Sequence, residues 1–259
     1  MLVNIDPLAV IDPKATIDES VIIGPYSVIG SNVTIGARTV IGPHVVINGP
    51  TTIGTDNQIF QFSSLGEIPQ DKKFHDEQSR LEIGNGNTIR EFVTINRGTD
   101  HGGSLTSIGN NNWLMAYIHI AHDCIVANDV VFSNNATLAG HVTVGNGVIL
   151  GGFTLVHQFC AIGNNVFTAM GSSISKDVPP YLMVSGTPAH PHGINSEGLK
   201  RLDLSSDIIK NIKRVYKYLY RSKLSFDDAK KEIEKISESC EEVKIMYEFL
   251  KNSKRSILR

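Results

Sequence analysis

Four histidines, His119, His122, His141 and His157, are the side chains in this 259-residue chain best suited to moving a proton near neutral pH. An imidazole titrates at about 6.5 and accepts a proton at physiological pH when a partner fixes which ring nitrogen carries the hydrogen. His122 lies beside Asp123 in the segment HIAHDC, residues 119 to 124, which makes a carboxylate-oriented general base the natural reading. Adjacency alone does not settle it, because neighbouring side chains need not point together. No GxSxG nucleophile elbow and no phosphate-binding GxxxxGK[ST] loop is present. Cys124, Cys160 and Cys240 are odd in number and far apart, so neither a disulfide framework nor a cysteine metal site is indicated, and a reducing cytoplasm suits them.

A sixfold repeat must position these groups. From Ile5, steps of six reach Ile11, Ile17, Ile23 and so on to Leu65; the frame resumes at Ile83, Ile89 and Ile95, then shifts by one and runs from Ile108 to Ile174. Thr168 is the one polar residue on that path. Six residues leave an α-helical face about 120° out of phase, so the period excludes an amphipathic helix. It fits short strands separated by corners, with one aliphatic inward per hexad and a small residue, often glycine, at the corner. Three hexads close an 18-residue rung, and rungs stack about 4.8 Å apart. The expected fold is therefore a β-helix of hexapeptide repeats. None of the four histidines occupies an inward position, and an 18-residue rung projects 122 to 140 and 158, which predicts that His122, His141 and His157 share one edge.

Residues 67 to 82 and 97 to 107 break the repeat and are read as loops thrown out from the prism, where functional residues concentrate. After Ile174 a proline-rich connection leads to apolar residues at helical spacing: Ile208, Ile212, Val215 and Leu219, then Val243, Met246 and Leu250, with a capping-box-like start at Ser225. Two parts follow, a β-helix over 1 to 185 and a helical domain over 186 to 259. Residues 1 to 199 carry 8 basic and 16 acidic side chains against 16 and 10 in residues 200 to 259, so a net −2 hides a basic tail. Such a tail attracts nucleic acid, a membrane surface or an acidic protein, or is simply a solvated helical face. No apolar run approaches the roughly 18 to 20 residues of a membrane span, and the N-terminus does not read as an export signal.

The segments QDKKF (70 to 74), NRGT (96 to 99), HIAHDC, NNATLAGHV (134 to 142), VHQF (156 to 159), DVPPY (177 to 181) and INSEGLKR (194 to 201), in this order, resemble the UDP-N-acetylglucosamine acyltransferases, a hexapeptide-repeat family acting first in lipid A synthesis. The resemblance covers essentially the whole chain. It implies a left-handed coil, a homotrimer, no cofactor and no metal, an acidic acyl carrier protein bearing a 3-hydroxyacyl chain as donor, and UDP-N-acetylglucosamine as acceptor, with no nucleic acid partner. It also implies His122 as base, Asp123 as its orienting group and the Gly140 N–H as oxyanion donor. His119, His141, His157, Gln158, Asn195, Glu197 and Arg201 match positions around the nucleotide sugar, Asp71 and Lys73 positions lining the sugar and acyl pocket, and Met170 a position that limits acyl length. A different class stays open on the residues alone: a zinc hydratase resembling the γ-class carbonic anhydrases, with His119, His122 and His141 as ligands. A carrier-binding scaffold without catalysis is the third reading.

Overall fold

The computed structural model describes residues 4–259. Its strands are mostly two residues long and fall into three sheets, here called A, B and C, of ten, nine and eight strands among the described residues. Apart from the rungs that carry the two insertions and the last strands of sheet A, the neighbours within each sheet are parallel and 18 residues apart, as in Val10 with Val28 and Thr34 with Thr52. Successive hexads thus visit the three sheets in turn, and the left-handed coil builds a triangular prism. From Ile23 onward the strands of the coil show one face to solvent and bury the residue predicted to point inward, so that Ile23, Ile29, Ile35, Ile41 and Ile47 form continuous ladders with exposures of 2% or less, while Ile11 and Ile17 at the first rung are partly buried. The polar exception is accommodated rather than expelled. Thr168 is fully buried, with its hydroxyl 2.7 Å from that of Thr154 and accepting the Gly151 N–H at 3.0 Å.

The corners work differently from the glycine expectation. Gly24 sits one residue after inward Ile23, and a Cβ there would lie 2.7 Å from the Pro43 nitrogen of the next rung, so glycine permits rungs to stack closely. The turn itself is made two residues later by a left-handed residue of another type: Tyr26, Asn32, Arg38 and His44 have φ of +56 to +61°. That conformation costs an ordinary L-residue roughly 1 to 2 kcal/mol, and ladder hydrogen bonds such as Gly24 N–H to Ile41 C=O must compensate for it.

Both insertions leave from one edge. The chain leaves sheet B after strands Ser64–Glu67 and Thr94–Asn96 and resumes in sheet C at Arg80–Ile83 and Leu105–Ile108. The two loops therefore rise side by side at the B/C corner of neighbouring rungs. They are shorter than expected, because residues 80 to 82 and 105 to 107 extend paired strands, in register Arg80 with Leu105 through Ile83 with Ile108.

Strand His190–Ile194 pairs antiparallel with Leu182–Ser185, so the boundary placed at residue 185 falls inside a hairpin and the helices start at Ser196. They are α1 (Ser196–Arg201), α2 (Ser206–Tyr220), α3 (Phe226–Ser237) and α4 (Glu241–Asn252). Ser225 caps α3 by accepting the Asp228 N–H, as the sequence suggested. The predicted stripes form the core of this part: Ile212, Val215 and Leu219 pack with Val243, Met246 and Leu250. Buried Asp177 ties the chain end back to the prism, accepting from the Ala161 N–H at 2.8 Å and the Ser253 hydroxyl at 2.6 Å.

Candidate active site

The B/C corner carries the chemistry. Three residues past each inward position of sheet B stand Asp123, His141 and Phe159, all left-handed, with φ of +59, +62 and +65°. One residue earlier on the same rungs are His122, Gly140 and Gln158. Rung stacking brings the His122 and His141 rings edge to face at 5.0 Å and lays His141 on Phe159 at 4.4 Å. The two loops close over this edge, leaving a cavity of about 580 Å³ lined by Gln70, Asp71, Lys73, Thr99, His101, His122, His141, Gln158 and Phe159.

His122 and Asp123 do point together. Nδ1 of His122 lies 2.8 Å from Oδ2 of the fully buried Asp123 side chain. A carboxylate only accepts, so Nδ1 carries the hydrogen and Nε2 keeps its lone pair. Burial pushes the Asp123 carboxyl pKa up, but hydrogen bonds from His122 and from the Thr99 hydroxyl and N–H, with the nearby His141, outweigh it and hold the group below the ordinary aspartate value. Gly140 is required by proximity, since a Cβ there would lie 2.6 Å from Cε1 and 2.7 Å from Nε2 of His122. Among the hydrogen bonds of the described residues none uses the Gly140 N–H.

His119 and His141 are held neutral to lower pH than a free histidine, His119 by burial and by the charge of His122, His141 by burial against the opposing pull of Asp123. The unfolded chain protonates near 6.5, so below that pH it binds more protons at these sites than the folded chain, and stability rises with pH through the window beneath 6.5. Thermal melts at fixed protein concentration should therefore show Tm falling on acidification from about pH 6.5, with a shallower slope in His119→Gln/His141→Gln. Equal slopes for the two proteins would contradict this.

Not every expected residue joins this cavity. His119 leans away, with Nδ1 2.8 Å from the Thr94 hydroxyl. His157 takes the first position of its corner and lines a separate groove on sheet B with Thr137, Leu155 and Ser173. Asn195, Glu197 and Arg201 lie on the opposite side of the prism, where α1 and the sheet A residues Ile149, Phe167 and Met183 enclose about 390 Å³. Asn195 caps α1 through the Gly198 N–H, and Glu197 pairs with Lys200 at 2.8 Å. Met170 is 78% exposed at the A/B corner and lines neither cavity.

The residues able to gather round a cation are also not those expected. Ligating atoms of His122, Asp123 and His141 lie within 4.8 Å of one another, whereas His119 is engaged by Thr94. A cation there would compete with the His122 hydrogen bond and with two Thr99 donors already on the same carboxylate. Thr99 and Gly102, which surround Asp123, were missed by sequence reasoning; the NRGT segment and the paired glycines that follow were the available signal.

Comparison with known proteins agrees with this architecture along the whole chain. A family described as UDP-N-acetylglucosamine O-acyltransferase, domain 2, matches residues 177–258, and bacterial transferase hexapeptide repeats match residues 14–49 and 105–140. The acyl-[acyl-carrier-protein]--UDP-N-acetylglucosamine O-acyltransferase of Neisseria meningitidis is 56% identical over 255 residues, covering 98% of this chain and 99% of that protein. The protein of the same name from Halorhodospira halophila is 53% identical over the full length of both. The crystal structure of UDP-N-acetylglucosamine O-acyltransferase from Moraxella catarrhalis superposes with a TM-score of 0.97 at 47% identity, covering 99% of this chain and 100% of that one. The chain belongs to the acyl-[acyl-carrier-protein]--UDP-N-acetylglucosamine O-acyltransferase family.

Proposed function

We propose that this protein transfers a 3-hydroxyacyl group from acyl carrier protein to the 3-hydroxyl of UDP-N-acetylglucosamine, the opening step of lipid A synthesis, with His122 as general base. The observation that carries the reading is His122 itself: its Nδ1 is bound to a buried carboxylate, and its Nε2 lies over a glycine whose N–H is unused, in a cavity ringed by polar side chains. Nε2 removes the proton of the sugar hydroxyl as its oxygen attacks the thioester carbonyl. The Gly140 N–H stabilises the oxyanion. The intermediate then collapses as the carbon–sulfur bond breaks, and the imidazolium returns its proton to the departing sulfur. Asp71 and Lys73 on the first loop, with His141 and Gln158, contact the sugar and the first part of the acyl chain.

The remaining groups require a second copy of the chain. His157, Asn195, Glu197 and Arg201 belong to the nucleotide-sugar site, yet the last three sit on the side of the prism away from His122. Outward strand positions are mainly apolar on sheet A (Ile22, Val40, Trp113), apart from Gln58 and Thr88, and include Val10, Val28 and Leu155 on sheet B among Ser64, Thr94, His119, Thr137 and Ser173, whereas sheet C shows mainly threonine, serine and glutamate, with Ile125 and Ala161 as apolar exceptions. Exposed apolar surface of this extent marks an interface. In a homotrimer, face A of one copy packs on face B of the next and closes each site from two chains. Arg201 then reaches a phosphate, His119 supports the sugar, and Met170 ends the acyl groove. The acidic carrier docks on the basic helices, where Lys213 and Lys217 of α2 have no acidic partner within 4 Å among the described residues. No described helix is long and apolar enough to cross a membrane, and the three cysteines are buried and unpaired, which suits the cytoplasm.

Product mass spectrometry after incubation with UDP-N-acetylglucosamine and a mixture of acyl carrier proteins should reveal a mono-O-acylated nucleotide sugar with a preferred medium chain. Met170→Gly should shift the preference to longer chains, each further buried methylene contributing about 0.8 kcal/mol. Absence of acylated sugar would overturn the assignment, and an unchanged distribution in the variant would remove Met170 from it.

A further inference from the structure

The second loop carries a device that the reaction scheme does not use. Thr99 stands at the N-terminal cap of a short 3₁₀ turn, Asp100–Gly102, where a threonine hydroxyl ordinarily accepts an N–H of the turn. Here it caps nothing. Its hydroxyl donates instead to Oδ2 of Asp123 at 2.6 Å, and its backbone N–H donates to Oδ1 at 2.8 Å. Oδ2 is the same oxygen that receives Nδ1–H of His122. The loop is shaped for this grip. A Cβ on Gly98 would lie 2.9 Å from Oδ1, and one on Gly102 would collide with the carboxyl group itself. From the other side, the Thr106 hydroxyl accepts the Asp123 N–H at 2.8 Å and fixes the left-handed corner.

We propose that Thr99 is a positioning residue that sets the basicity of His122 through Asp123. The inference rests on the reading of His122 as general base. Two donors share Oδ2, so each weakens the oxygen as an acceptor for the other. The Thr99 hydroxyl draws negative charge from the carboxylate, which then stabilises the His122 imidazolium less. The ring is also held by a carboxylate gripped at both oxygens. Removing the hydroxyl has two consequences: the carboxylate is held less firmly, by the Thr99 N–H on Oδ1 and by His122 on Oδ2, and the charge of Oδ2 falls undivided on His122.

The test is the pH profile of kcat/KM for Thr99→Val, which keeps the shape and the backbone N–H but lacks the hydroxyl. The acid limb should move to higher pH and kcat should fall about tenfold, the kinetic counterpart of one charge-assisted hydrogen bond. Thr99→Ser should restore both. Thr99→Ala carries the same test if the valine variant is unstable, since it lacks the hydroxyl without adding bulk. An acid limb unchanged from wild type in a folded variant overturns the proposal, even if kcat drops. His122→Ala measured in parallel separates the two claims: full activity there removes the base, whereas a dead His122→Ala beside an unshifted Thr99→Val removes the role of Thr99 alone.

Discussion

Replacing His122 by alanine should lower kcat by about 10² to 10⁴-fold, the usual cost of losing a general base, with little change in melting temperature. The side chain is 14% exposed at a corner and contributes nothing to the isoleucine ladders, so the prism does not depend on it. Its one strong contact is with Asp123, and that carboxylate retains both Thr99 donors when the imidazole is gone. Steady-state kinetics, with circular dichroism to check the fold, decide the matter. More than a tenth of wild-type kcat in the folded variant would sink the assignment. Exhaustive chelation of the wild-type enzyme should have no comparable effect; loss of activity on chelation, restored by zinc, would instead favour a cation among His122, Asp123 and His141.

Gly140→Ala should be nearly as damaging, for a reason that lies in space rather than in chemistry. The backbone there is not left-handed and the N–H is kept, so alanine is acceptable to the chain itself. Its methyl group, however, would stand 2.7 Å from Nε2, and the ring cannot swing away without breaking its 2.8 Å bond to Asp123. A displacement of about 1 Å in a reacting group can cost 10²-fold in rate, and kcat should fall by about that factor. Gly152 provides the control. It holds the same place in its hexad at another corner, and a Cβ there meets only the Asn134 carbonyl oxygen at 3.4 Å, so Gly152→Ala should leave kcat nearly unchanged. Equal activity in the two alanine variants would mean that the crowding of His122 is not what Gly140 serves.

Residues that act locally were legible in the sequence. His122 and Asp123 are neighbours in the chain, and the hexad frame placed both on an outward corner without reference to anything distant. Rung arithmetic brought His141 to them correctly, because rungs beyond the insertions repeat every 18 residues. The same arithmetic could not show that His157, one residue earlier in its corner, turns toward the sheet B groove; a single position decides which side of an edge a side chain meets. Nor could it show Thr99, whose partner Asp123 lies 24 residues away across a loop outside the repeat.

The sequence by itself determined the prism. An aliphatic residue every sixth position leaves only one way to bury that face: three short strands per turn, stacked so that each rung covers the next. The requirement recurs so often that two insertions and a buried threonine do not disturb it. Tertiary structure alone decided how the active edge is assembled. The partners of Ser64 and Thr94 stand at Thr94 and His119, so the loops add 12 and 7 residues to the ordinary rung, and their folding back over one corner depends on contacts such as Thr99 with Asp123 that no periodicity encodes. The left-handed corners were equally hidden, since Tyr, Asn, Arg, His, Asp and Phe all adopt them under the hold of neighbouring rungs. A repeat records what every rung must do to stay buried, whereas a site records what a few side chains do once rungs and loops have brought them together.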